Sequence, residues 1–241
     1  MIIIELKDLA WGLIPVLITL GFLHRWSLPK RRALLSLTRM LLQLLLIGYV
    51  LAFIFDSDSP YLISGVLSLM LLAASWITLD SLPGPALPLF GLTLLSIVIG
   101  GVFTLVVITQ GVMHLAPWYK PQVLIPIAGM IFSNAMNTIS LAGERFYSEF
   151  ERDGDYLAAR NKAYQASMIP IFNALMAVGL VSLPGMMTGQ ILSGVSPLVA
   201  ARYQIMVMLM IFGSSGISAA IFLLLLKRRQ LQNAPAEAQQ P

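Results

Sequence analysis

Long apolar runs alternate along the chain with short polar or charged segments. A membrane-crossing α-helix needs about 20 mostly apolar residues, because the hydrocarbon core of a bilayer is about 30 Å thick. The pattern therefore predicts an all-α, polytopic membrane protein with about seven transmembrane helices. The predicted spans are residues 9–23, 33–55, 61–79, 86–109, 123–141, 166–183 and 203–226.

The connection between the last two predicted spans is apolar but rich in glycine and proline. It runs from Pro184 to Pro197 and contains three glycines, which disfavour a continuous helix. Irregular backbone at membrane depth is tolerated only against protein or a water-filled cavity. The segment is therefore either a loop outside the membrane or a broken, re-entrant element that lines a translocation path.

The distribution of basic residues predicts an orientation, because cytoplasmic loops carry an excess of Lys and Arg. With the N-terminus outside, twelve basic residues adjoin the cytoplasm and three, Lys7, Lys120 and Arg202, lie outside. We therefore expect an N-out, C-in protein of the cell inner (cytoplasmic) membrane. Residues 1–229 form a single transmembrane domain in this interpretation, with a cytoplasmic loop at about 144–165 and a disordered tail at 230–241.

Composition agrees with a membrane protein and excludes several function classes. The chain is 58% hydrophobic and 11% charged, with a mean hydropathy of +0.84, whereas soluble domains are about 25% charged.

The chain has no cysteine, which excludes disulfides and thiolate metal sites. The net charge of +4 does not indicate nucleic-acid binding, because the basic residues sit beside apolar runs. No lysine follows a glycine, so a Walker-type nucleotide site is absent from the sequence and no enzymatic activity is expected.

Polar residues within the spans are the main candidates for function, because polar groups at membrane depth are costly. Ser133, Asn134, Asn137 and Ser140 follow a spacing that places them on one helical face. Asn173 and Gln204 lie in or at the start of the next two spans. Hydrogen bonding between helices accounts for these residues, and a polar path through the membrane is the functional alternative.

Residues 144–162 form the longest charged segment, on the predicted cytoplasmic side. It is either a solvated connection between helices or a docking element for a cytoplasmic partner. The residues predicted to take part in docking are Glu149, Arg152, Asp153, Asp155 and Arg160.

Several stretches resemble the FetB-type permeases, which are membrane subunits of an ABC transporter associated with iron export and metal resistance. The most specific is the run Gly-Leu-Val-Ser-Leu-Pro-Gly-Met-Met-Thr-Gly-Gln at 179–190. The others are residues 117–136, 196–197 and 201–206, together with Arg39, Gln43, Gly48 and Tyr49.

The resemblance implies a permease that exports iron or another metal, two permease copies per transporter, and a separate ATP-binding subunit of the FetA type. ATP and Mg²⁺ would then bind the partner subunit, and this chain would need no cofactor. The residues expected near the translocation path combine the helical-face pattern with the family motif: Asn134, Asn137, Asn173, Met186, Met187 and Gln190.

The chain departs from the family pattern in the charged segment, which is about a dozen residues short and lacks a Gly-Ala pair. Coupling to an ATPase then either uses a shorter helix around residues 156–164 or is impaired. Two alternatives to the ABC permease follow: a transporter or channel that works alone, and a membrane scaffold whose polar residues serve helix packing.

Overall fold

The computed structural model describes residues 8–233, with side chains as far as Lys227. The chain folds as two compact units, Met1–Ser57 and Asp58–Pro241. The described residues are almost entirely helical and contain no β-strand. The prediction of an all-α fold is therefore confirmed.

The first unit is a pair of helices. A 3₁₀ turn, Asp8–Gly12, leads into α1 (Leu13–Arg25), and α2 spans Lys30–Phe55. None of the α1 side chains is buried, and Ile54 is the one buried residue of α2. Helices that are apolar and exposed on every side are typical of segments that face lipid.

The second unit contains the remaining helices. They are α3 (Pro60–Thr78), α4 (Ala86–Ile97), α5 (Phe103–Val106), α6 (Pro121–Asp153), α7 (Tyr156–Ala177), α8 (Gly185–Leu192) and α9 (Pro197–Asn233). The π-helical segments Val98–Val102 and Val107–Val112 flank α5, so that Ala86–Val112 forms one continuous span. The core of the unit lies where α6 packs against α3, α7 and α9, and where α9 packs against the first π-helical segment.

Six described helices are long and apolar enough to cross a membrane. They are Asp8–Arg25, Lys30–Phe55, Pro60–Ser81, Ala86–Val112, Pro121–Asp153 and Pro197–Lys227. The predicted span at 166–183 falls largely on α7, which is not among the six. The count of seven spans and the N-out, C-in orientation stay predictions. The two ends of the chain lie on opposite sides of the membrane only if α7 crosses it as a seventh span.

The predicted loop at 144–165 is helical except for a turn of two residues. α6 continues to Asp153, and α7 starts at Tyr156. Gly154 ends α6 with a φ of 66°, a left-handed conformation that suits glycine. Asp155 then caps α7, accepting a hydrogen bond from the Leu157 amide at 2.8 Å. The start of α7 agrees with the helix expected around residues 156–164, whereas the turns of α6 up to Asp153 lie beyond its predicted apolar span, which ends at residue 141.

Helical continuity is broken on both sides of α8, as the glycine and proline content predicts. α7 ends at Ala177, and α9 begins at Pro197. The turns that enclose α8 contain Gly179 and Gly194, with φ values of 82° and 90°. A re-entrant path for this segment stays a prediction. At the other end, α9 extends to Asn233, four residues into the predicted tail; the rest of that tail, residues 234–241, lies outside the described residues.

Candidate functional site

A buried carboxylate organises the junction of α6 and α7. The side chain of Glu149 is 3% exposed and meets cations from both helices. Its Oε2 accepts hydrogen bonds from Arg152 Nη2 and Lys162 Nζ, each at 2.8 Å. Its Oε1 pairs with Arg145 Nη2 at 2.6 Å. Three positive charges therefore stabilise one ionised carboxylate, and we call Arg145, Glu149, Arg152, Asp153 and Lys162 the charged corner.

A second carboxylate completes the charged corner. Asp153 accepts two hydrogen bonds from the Arg152 guanidinium, at 3.0 and 2.8 Å, and lies 3.7 Å from Lys162 Nζ. Arg152 and Lys162 are about half exposed, at 59% and 45%. Arg152, Lys162 and Asp153 are thus partly exposed at the surface of the corner. The buried Glu149 carboxylate binds Arg152 and Lys162 from the inner side.

Tyr156, the first residue of α7, ties the charged corner to α9. Its hydroxyl donates a hydrogen bond to the Leu223 carbonyl oxygen at 2.9 Å. Burial raises the pKa of the Tyr156 phenol, so the hydroxyl stays protonated and remains a donor. The ring packs edge-on against Phe146 at 5.7 Å between centroids. The Tyr156 side chain therefore connects the charged corner directly to the end of α9.

The structure brings together three of the five predicted docking residues, Glu149, Arg152 and Asp153. Asp155 serves as the cap of α7. Arg160 points elsewhere: its guanidinium lies 5.9 Å from the centre of the Tyr156 ring.

Sequence reasoning missed Arg145 and Lys162 as partners of Glu149. The spacing of Arg145, Glu149 and Arg152 on one helix contains the first half of the signal, because residues three or four apart meet on a helix surface. The contribution of Lys162 depends on the two-residue turn, which patterning did not predict.

The predicted polar face of α6 is present and points away from the buried core. Ser133 and Asn137 are exposed, and Asn134 and Ser140 are half-buried. Asn134 Nδ2 donates to the Met130 carbonyl oxygen of its own helix at 2.8 Å, whereas no hydrogen bond of the Asn137 side chain is found among the described residues. No helix of the second unit therefore covers this face completely.

The other predicted path residues lie on α7 and α8. Asn173 is exposed, whereas Met186, Met187 and Gln190 are half-buried. Met187 lines a cavity of about 360 Å³ together with Gln204 and Met208 of α9. Asn134, Asn137 and Asn173 do not line it, so the structure does not gather the six residues at one place.

The cavity is almost wholly apolar, and Gln204 is its one amide-bearing lining residue in the described part of the chain. The Oε1 atoms of Gln190 and Gln204 are buried without a hydrogen-bond partner among the described residues. Within that part of the chain, no group of three or more His, Asp or Glu side chains could hold a metal ion. Any metal that passes here would meet amide oxygens and thioethers in place of carboxylates.

Comparison with known sequences gives the family. The family model described as Uncharacterised protein family (UPF0014) matches residues 6–160 and 155–231. The two matched parts overlap at residues 155–160, at the start of α7. No solved structure matches the chain.

Three curated relatives extend over most of the chain. The UPF0014 membrane protein slr1647 of Synechocystis sp. (strain PCC 6803) is 40% identical over 75% of each chain. The Probable iron export permease protein FetB of Escherichia coli (strain K12) is 32% identical over 89% of this chain and 88% of its own length. The Protein ALUMINUM SENSITIVE 3 of Arabidopsis thaliana is 30% identical over 76% of this chain and 71% of its own.

These matches confirm the resemblance to FetB-type permeases and, with six apolar helices, a multi-pass membrane protein. The chain belongs to the UPF0014 family of membrane proteins.

Proposed function

We propose that this chain is the membrane-spanning permease subunit of an ATP-driven ABC transporter of the inner membrane, which exports iron or another metal ion. Two copies would form the pathway, and a separate ATP-binding subunit would hydrolyse ATP, with its Mg²⁺ bound there. The E. coli relative named as an iron export permease supports the substrate class, because the alignment covers 89% of this chain.

The charged corner is the proposed docking surface for the ATP-binding subunit, and it is the observation that carries the proposal. A motor that acts on a membrane protein needs a rigid element at the bilayer surface that transmits displacement to several helices. Glu149 joins α6 to α7 through Lys162, and Tyr156 joins α7 to α9. A displacement at the corner would therefore move three helices together.

The length of α6 supports a position of this corner beyond the hydrocarbon. Its 33 residues span about 50 Å at 1.5 Å per residue, against a hydrocarbon core of about 30 Å. The apolar part of α6 fills the bilayer, and the charged end projects from it. The partly exposed side chains of Arg152, Asp153 and Lys162 then form a charged surface outside the hydrocarbon, which a soluble partner would contact.

The polar face of α6 is the proposed wall of the translocation path. In hydrocarbon, exposed amides and hydroxyls would remain unsatisfied, which costs several kcal/mol per group in the worst case. Such a face is stable against a water-filled cavity or a second copy of the chain. Two copies that oppose their α6 faces would enclose a path lined by Asn134 and Asn137, whose oxygens suit a hard metal ion.

The decisive experiment is reconstitution. The chain is co-purified in detergent with the ATP-binding protein encoded beside it and placed in liposomes, and ATPase activity is measured with and without Fe(II). We expect a stable complex whose ATPase rises with Fe(II). Absence of a complex under conditions in which both proteins are monodisperse would overturn the proposal, and a complex insensitive to any metal tested would remove the substrate assignment.

A second candidate function is transport without ATP, and one observation favours it. The turn between α6 and α7 consists of Gly154 and Asp155 alone, which leaves no separate coupling helix. Metal flux into liposomes that contain only this chain would support this candidate. Flux that requires both the partner subunit and ATP would exclude it.

A further inference from the structure

Two cations that have no carboxylate partner converge on the Tyr156 ring. The Arg160 guanidinium carbon lies 5.9 Å from the ring centre, and Lys227 Nζ of α9 lies 5.4 Å from it. The two charges are thus within about 11 Å of each other. Arg160 donates two hydrogen bonds to the neighbouring Asn161 amide oxygen, at 2.8 and 3.1 Å. Across residues 8–227, neither cation has an ion pair of the kind that occupies Arg145, Arg152 and Lys162.

An amphipathic groove of about 310 Å³ lies between α7 and α9 and is lined by Arg160. Lys227 follows one helical turn after Leu223, on the same side of α9. The α7 wall of the groove is polar and consists of Arg160, Asn161 and Tyr164. Its α9 wall is apolar and consists of Ala220, Leu223 and Leu224. A ligand that fits both walls has an anionic group at one end and an aliphatic body.

The groove lies at the depth of lipid headgroups. The apolar span of α9 ends at Lys227, and Arg228 and Arg229 follow in the sequence. α7 runs antiparallel to it from Tyr156, which bonds Leu223. The cationic end of the groove is therefore at the bilayer surface, and the Ala220 end points towards the hydrocarbon.

We propose that this groove binds an anionic phospholipid of the surrounding bilayer. The phosphate lies between Arg160 and Lys227, and an acyl chain lies along Ala220, Leu223 and Leu224. Charge complementarity selects an anionic headgroup over a zwitterionic one, because neither cation has a carboxylate partner within residues 8–227. A free phosphate would leave the apolar wall unused, so the lipid is the occupant that fits the whole groove. The lipid would brace the contact between α7 and α9 beside the charged corner.

Native mass spectrometry of the full chain in detergent tests the proposal. Phosphatidylglycerol and phosphatidylcholine with identical acyl chains are titrated separately, with inorganic phosphate as a competitor. We expect one phosphatidylglycerol to bind before any others, and millimolar phosphate not to displace it. The double substitution Arg160→Gln with Lys227→Gln is expected to weaken this binding by about twenty-five-fold, since each basic side chain near an anionic surface contributes about fivefold.

Two further variants keep the result interpretable. Lys120→Gln removes one exposed positive charge at the opposite end of the helical unit and is expected to bind phosphatidylglycerol as the unsubstituted chain does. Ala220→Phe fills the apolar wall and keeps both cations, and it is expected to reduce binding as well. Equal binding of the two lipids, unchanged binding by the double variant, or displacement of the lipid by phosphate would each overturn the proposal.

Discussion

Lys162 of α7 donates a hydrogen bond to the buried carboxylate of Glu149 on α6 at 2.8 Å, across a turn of two residues. The same carboxylate holds Arg145 and Arg152. Loss of one negative charge would therefore leave three cations facing one another with Asp153 alone to balance them. This asymmetry makes Glu149 the residue on which the geometry of the charged corner depends.

Replacement of Glu149 by Gln is expected to loosen the charged corner while it preserves the size of the side chain. The three cations would repel each other, because a neutral amide cannot compensate them. We expect a lower melting temperature for the purified chain and weaker binding of the ATP-binding subunit. Differential scanning fluorimetry and co-purification measure the two effects. Glu151→Gln is the matched control, since Glu151 is exposed and outside the network; an equal effect of both substitutions would contradict the role given to Glu149.

Tyr156→Phe is expected to uncouple the charged corner from α9 with little change in packing. The substitution removes the hydrogen bond to the Leu223 carbonyl oxygen and keeps the ring. A neutral hydrogen bond contributes about 0.5–1.5 kcal/mol to stability, so we expect a destabilisation of that size in unfolding measurements. Tyr61→Phe is the control, because Tyr61 is 88% exposed. A lower ATPase activity of the reconstituted complex, at a temperature where the variant is still fully folded, would indicate that the bond transmits motion.

Gly100→Ala is expected to disrupt the packing of the fourth span on α9. A Cβ atom at this position would lie 2.7 Å from the Ser218 backbone nitrogen and even closer to its Oγ, and backbone atoms cannot move aside as a side chain can. Overpacking of this kind costs about 1–3 kcal/mol. Gly111→Ala provides a control within the second π-helical segment, since nothing lies within 4 Å of its added Cβ. Thermal unfolding in detergent should separate the two variants, and similar melting temperatures would show that the helices adjust freely.

The sequence alone predicted the helices that are apolar along their whole length, because hydropathy depends only on local composition. It also predicted the breaks around α8, since glycine and proline act on the local backbone. For 144–165 it offered a helix around 156–164, where α7 indeed starts, but it did not predict that α6 continues to Asp153. The ion pair between Glu149 and Lys162 is a tertiary contact that appears only once the turn at Gly154 is known.

The residues predicted near the translocation path show the same contrast between spacing along one helix, which the sequence contains, and packing between helices, which it does not. Helical spacing correctly placed Asn134 and Asn137 on one face of α6, because that periodicity is a property of the helix itself. It could not show that this face is left uncovered, or that Met187 lies beside α9 and apart from the asparagines. Those relationships depend on how α6, α8 and α9 pack.

Asn137→Leu is expected to impair transport without harm to the fold. Asn137 is exposed on α6, so a leucine of similar size would face lipid or a path at no packing cost, and the melting temperature should stay the same or rise slightly. If the face lines the path, an apolar side chain there removes an oxygen that replaces water around the ion, and metal flux should fall to less than about a tenth.

Flux through the Asn137→Leu variant is measured in proteoliposomes that contain both subunits and ATP. Ser64→Leu, which places leucine at an exposed position of α3, is the control. Retained flux in Asn137→Leu would indicate that the polar face of α6 serves contact between subunits, because a residue that only seals an interface can be apolar without loss of conduction.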